Sequence, residues 1–190
     1  MNLPADLEVK RRAITVEAYH RMGEVGILAP DERVELIEGE VVEMAPIGSR
    51  HSGMVGRLTR MLVHSAGDRG LVFVQNSVRL SRTSEPQPDL AVLKPRADDY
   101  QSATPRADEV LLLVEVAETS LKYDRELKAP LYAAHGIPEL WVVDVADRVL
   151  WLYRDPQAGG YARVEKTERP ARIHLAVAPD IEVDLTGLFS

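Results

Sequence analysis

Val110 to Val145 reads VLLLVEVAETSLKYDRELKAPLYAAHGIPELWVVDV. Two short apolar runs, LLLVEV and LWVVDV, flank a charged segment with helical spacing. Neither run alternates polar with apolar residues, as a strand wetted on one face does. Continuous Val and Leu instead mark strands buried on both faces of a sheet. Strand, helix and second strand make a right-handed crossover unit with a parallel pair, which sets the fold class as α/β. One residue is left unexplained. Glu115 lies inside the first run, and burying a carboxylate is expensive unless a cation or hydrogen bonds compensate.

Downstream of this unit, VLWLYR pairs with WVVDV across the turn Ala146-Asp147, and YARVEKTE adds a further strand. The tail ends in polar-apolar alternation and a Leu188-Phe189 pair suited to docking on the core. Upstream, Thr15 is an N-cap for a short helix ending near Gly23, with Val16, Tyr19 and Met22 as its apolar face. Glu38-Gly39 stands between two alternating runs and predicts a hairpin. A helix from His51 carries the apolar stripe Met54, Val55, Leu58, Met61 and Leu62. LVFVQNSVRL (71–80) and PDLAVLK (88–94) read as strands, and Pro88 suits the start of the second. The polar stretch 95–108, with two prolines, is expected to be a mobile loop.

A length of 190 residues suits one domain spanning 1–190, with the polar residues 1–12 loosely ordered. No stretch approaches the ~20 apolar residues of a membrane helix, and no secretory leader is visible, so no membrane partner and a cytoplasmic location are expected. The chain has no cysteine, which excludes disulfides and thiolate-bound metal. A net charge of -7 argues against a broadly basic nucleic-acid surface and fits a cluster of acids built around a cation.

The acids that invite such a reading are Asp89 and Glu115, each close to the end of an apolar strand. If the two strands are neighbours, both carboxylates converge at one edge of the sheet. They repel there unless a divalent cation lies between them. Hard oxygen ligands favour Mg²⁺, with Mn²⁺ as a substitute. Such an ion activates water and stabilises charge building on a phosphate. A lysine two residues after the second acid is expected in the PD…(D/E)xK pattern, and Ala117 stands there. The helix offers another cation. Asp124 and Lys128 are spaced i, i+4 and share a face, beside a stripe of Leu127, Leu131 and Ala134 expected to pack on the sheet. Pro130 kinks or interrupts that helix and leaves the direction of Lys128 open.

ELIEGEVVEM (35–44), His51 at a helix start, Pro88-Asp89 and the long block from Val114 to Asp144 together resemble the Uma family, a bacterial branch of the PD-(D/E)XK nuclease superfamily. The resemblance implies a restriction-endonuclease-like fold, with a mixed central sheet flanked by helices and an N-terminal helix and hairpin. It implies Mg²⁺ held by Asp89 and Glu115, and a catalytic lysine displaced onto the helix as Lys128. Asp124 matches a further recurrent acid and Glu35 an early one, while His51 is placed to reach a phosphate or the metal. Ala117-Glu118-Thr119 departs from the family's usual Leu-Ser-Pro-like run. The function expected is hydrolysis of DNA by a homodimer. The competing reading is a non-catalytic nucleic-acid-binding or assembly module that retains the nuclease fold. Trp141 and Trp151 read as core residues rather than base-stacking platforms.

Overall fold

The protein is described by a computed structural model covering residues 12–190, so the expectation of loose order at the N-terminus lies, except for Arg12, outside the described residues. The chain forms helix α1 (Val16–Glu24), a hairpin of β1 (Val34–Ile37) and β2 (Glu40–Glu43), and the long helix α2 (Ser49–Ala66). Strands β3 (Leu71–Val74), β4 (Leu90–Leu93) and β5 (Val110–Ala117) follow. Helix α3 (Leu121–Tyr123), a π turn (Asp124–Lys128) and helix α4 (Ala129–Ala134) then run without a break. β6 (Glu139–Asp144), β7 (Val149–Gln157), β8 (Gly160–Thr167) and the hairpin β9 (Arg172–Leu175) and β10 (Ala178–Asp184) complete the chain.

The central sheet has six strands in the order β3-β4-β5-β6-β7-β8. Only β5 and β6 run parallel, and they are the two strands of the crossover unit. The sheet is therefore mixed and flanked by helices. Every residue of β5 and β6 is buried, which explains why neither run alternates. Two cores result. Leu90, Val92, Val114 and Val116 pack with Leu58 and Leu62 of α2 on one face. Ala91, Leu113, Ala117 and Val142 pack with Ala129 and Tyr132 of α4 on the other. Full burial of each such leucine or valine contributes about 1.5–3 kcal/mol. The β9–β10 hairpin closes the α2 face, and Leu188 is fully buried there with Phe189 beside it.

Three local expectations are corrected. The run 71–80 is not one strand, because Gln75 takes a left-handed φ of 51° and the strand stops at Val74. Residues beyond it fold back, with Val78 and Leu80 donating to the carbonyls of Pro86 and Ser84. The stretch 95–108 is tied down rather than mobile. Arg96 pairs with Asp98 and Glu109 and lies 3.9 Å over the ring of buried Tyr100, whose hydroxyl donates to the Lys94 carbonyl. Although many of its residues are exposed, its polar side chains include an internal network around Arg96 and Asp98. Finally, Leu127 and Ala134 face solvent, and the buried side of the crossover helix is Asp124, Lys128, Ala129, Leu131, Tyr132 and Ala133.

Candidate active site

The register of β4 and β5 brings the first two acids together. Leu90 pairs with Val114, and the same antiparallel register carried one step further sets Asp89 opposite Glu115. Residues directly opposite share a face, with Cβ atoms about 5 Å apart. Asp89 lies just before β4, so its side chain replaces the next rung of the ladder. Its Oδ2 accepts the backbone N–H of Val116 at 2.8 Å.

The crossover helix brings the lysine. A proline inside a regular helix lacks an N–H and collides with the carbonyl of the previous turn. Here Pro130 sits in the first turn of α4, directly after the π turn that widens the helix to accept it. The π turn keeps Asp124 and Lys128 on the buried side, each 3% exposed. Lys128 Nζ lies 3.1 Å from Glu115 Oε1 and 3.1 Å from Glu35 Oε2. It is not engaged in the helical i, i+4 ion pair with Asp124, whose Oδ2 instead accepts the Ser120 hydroxyl at 2.6 Å.

Glu35 arrives from the N-terminal hairpin. Type I′ geometry at Glu38-Gly39, with φ of 48° and 86°, turns β1 into β2. The hairpin docks on the loop after β3 through paired backbone bonds between Leu36 and Glu85 and a bond from Gly39 to the Thr83 carbonyl. Glu35 is thereby buried, accepting the Gln87 N–H and the Tyr123 hydroxyl, each at 3.0 Å. His51, in the first turn of α2, places Nε2 at 3.0 Å from Asp89 Oδ2. All six acids and bases singled out in the sequence, Glu35, His51, Asp89, Glu115, Asp124 and Lys128, therefore line one cavity of about 520 Å³.

The electrostatics follow from four carboxylates around one lysine. Burial pushes the Glu115 carboxyl well above its ordinary value, and Asp124, Asp89 and Glu35 add to the rise against the pull of Lys128. Burial likewise raises Asp124 to about 6. Burial alone would discharge Lys128, but Glu115, Glu35 and Asp124 outweigh it and hold the ammonium charged. Burial also acts to raise Asp89, yet the His51 hydrogen bond, the Val116 N–H and Gln75 bring it below the usual carboxylate range. His51 is raised in turn, first by its hydrogen bond to Asp89.

Sequence reasoning missed the residues that hold these groups. The Tyr132 hydroxyl donates to Glu115 Oε1 at 2.6 Å, and Gln75 Nε2 donates to Asp89 Oδ1 at 3.2 Å. Tyr132 follows Lys128 by four residues and Asp124 by eight, so its spacing carried a signal of a shared face. Gln75 and Gln87 had none, because loop backbone alone brings them in. Trp141 is core as expected, whereas Trp151 is only partly buried.

A family model described as "Putative restriction endonuclease", Uma2, matches residues 16–186. The chain belongs to the Uma2 family. Its fold is similar to a crystal structure from Anabaena variabilis described as "a putative nuclease belonging to DUF820", with a TM-score of 0.70 and 16% identity over 93% of this chain and 97% of that one. No curated protein matches the chain. Among the described residues of this Uma2 member, no helix is long and apolar enough to cross a membrane.

The donor set fits a hard divalent cation. Glu115 Oε2 takes no protein hydrogen bond among the described residues, and Asp89 Oδ1 takes only the Gln75 amide. No three His, Asp or Glu groups among the described residues are grouped closely enough to hold an ion by themselves.

Proposed function

We propose that the protein is a metal-dependent endonuclease that hydrolyses phosphodiester bonds of DNA. The observation that supports this most directly is the Asp89–Glu115 pair at the end of β4, with Lys128 Nζ 3.1 Å from Glu115. Asp89 and Glu115 would hold Mg²⁺ or Mn²⁺, which supplies activation of water and stabilisation of charge on the phosphate. His51, Gln75 and the Val116 N–H fix Asp89, and Tyr132 fixes Glu115, so both acids are oriented before substrate arrives. Lys128 contributes a charged ammonium at the edge of the phosphate site, where negative charge develops as the bond breaks. Its location on the helix supplies in space the cation that Ala117 does not supply on the strand. Cutting both strands calls for two such sites, and a homodimer provides them. Sedimentation of the purified protein tests that assembly.

The decisive experiment is cleavage of plasmid DNA with Mg²⁺ or Mn²⁺, compared with chelator. Asp89→Ala, Glu115→Gln and Lys128→Ala should each lower the rate by at least about 100-fold, the scale of a lost electrostatic stabiliser. Wild-type rates in all three would reject this site. Calorimetric Mn²⁺ binding without cleavage of any nucleic acid would favour a non-catalytic binding or assembly module on the same fold.

A further inference from the structure

The sheet register links the acid pair to a second cluster. Glu115 pairs with Val142, Val142 with Trp151, and Trp151 with Lys166. Laterally paired residues share a face, so this row crosses the sheet on the side covered by the crossover helix. At about 5 Å per strand, Trp151 stands about 10 Å from Glu115 and Lys166 about 15 Å.

Arg125 completes the cluster from above. Its guanidinium carbon lies 3.7 Å from the centre of the Trp151 ring, and its Nε donates to the Tyr153 hydroxyl at 2.9 Å. Lys166 Nζ lies 5.4 Å from the same ring. Neither Nη nitrogen of Arg125 has a protein partner among the described residues. Its neighbour in the chain, Glu126, is engaged by Lys122 at 3.9 Å. A guanidinium stacked on an indole and bonded through Nε has little freedom still to lose, and it presents a planar fork suited to phosphate. Because Arg125 covers the ring, Trp151 is not offered to a base. The cluster offers charge rather than a stacking platform.

We propose that Arg125, with Lys166, contacts a backbone phosphate of the DNA one or two nucleotides from the phosphate seated at Asp89 and Glu115. This rests on the nuclease reading and adds where the strand runs: across the crossover helix toward β7 and β8. Such a local contact explains how a chain of net charge -7 would engage a polyanion.

The test is anisotropy titration of fluorescein-labelled duplex DNA in a Glu115→Gln background, which suppresses cleavage, at several salt concentrations. Adding Arg125→Gln should weaken binding about tenfold, as for one charge-assisted contact, and reduce the salt slope by about 1. Arg125→Lys should be intermediate. Lys166→Gln, on an exposed side chain, gives a smaller loss of the same kind and carries the test if Arg125→Gln lowers the melting temperature. Arg163→Gln, on the opposite face of β8 and paired with Glu165, should change nothing. Unchanged affinity and slope in both Arg125→Gln and Lys166→Gln would overturn the proposal and leave the nuclease reading standing. No DNA binding by the background protein, with no cleavage by wild type, would overturn both.

Discussion

Lys128 is the residue on which the site turns. Its ammonium is buried between Glu35 and Glu115, and each carboxylate depends on it for compensation. Removing one member of such a buried pair costs about 3–5 kcal/mol because the other charge is left uncompensated. Lys128→Ala should therefore lower stability by that order at pH 7. The deficit should shrink toward pH 5, where the stranded Glu115 carboxyl binds a proton, and urea midpoints at the two pH values check this. Asp124 makes a second prediction. Its folded value of about 6 lies above its ordinary 3.8, so the folded chain keeps a proton that the unfolded chain releases across that window. The stability of metal-free protein should fall as pH rises from about 4 to about 6, by on the order of 2–3 kcal/mol from this group. Asp124→Asn should flatten that slope and leave the metal-free protein more stable than wild type at pH 7, as read by thermal unfolding. These residues were visible in the sequence for different reasons. Glu115 was conspicuous because an acid interrupts an apolar run. Glu35 was not, because a hairpin acid is ordinarily solvated, and only docking onto Glu85 and Thr83 buries it.

At the scale of elements, the site depends on two irregularities. The π turn at Asp124–Lys128 accommodates Pro130 and keeps Lys128 on the buried side. The hairpin turn at Gly39 carries Glu35, and here a side chain has no room. Gly39 has φ of 86°, and an added Cβ would stand 2.5 Å from the Ala13 Cβ. Gly39→Ala should destabilise the protein by on the order of 2 kcal/mol, combining backbone strain with the clash. It should also reduce any Mn²⁺-dependent cleavage by shifting Glu35 away from Lys128, a loss that a plasmid assay at a permissive temperature would read. The strands and α2 were legible from periodicity and apolar density. The helix stripe of Leu127, Leu131 and Ala134 was not, because a pattern counted at 3.6 residues per turn goes out of phase across a π turn. The stretch 95–108 misled in a similar way: composition does not tell an ordered network around Arg96 and Tyr100 from a solvated loop.

At the scale of the molecule, the buried carboxylates cost stability that the proposed cation would return. Glu35, Asp89, Glu115 and Asp124 share one cavity with Lys128, and burial raises the Glu115 and Asp124 carboxyls there. A cation that binds only the folded state stabilises it by mass action, by about 2.7 kcal/mol at a concentration 100 times its dissociation constant. Mg²⁺ or Mn²⁺ should therefore raise the melting temperature. Chelator should reverse the gain, and Asp89→Ala should abolish it. An equal gain in the Asp89→Ala variant would place the ion elsewhere.

The sequence by itself determined the parallel β5–β6 pair and the mixed α/β class and singled out Glu115, because burial on two faces leaves an unbroken apolar run in which a carboxylate stands out. Only the tertiary structure decided which groups meet. The β4–β5 register sets Asp89 against Glu115, the π turn directs Lys128 between Glu115 and Glu35, and the row from Glu115 to Lys166 places Arg125 beside the site. Registers and helix phase are settled by packing between segments far apart in the chain, and a spacing counted along one segment carries no record of them.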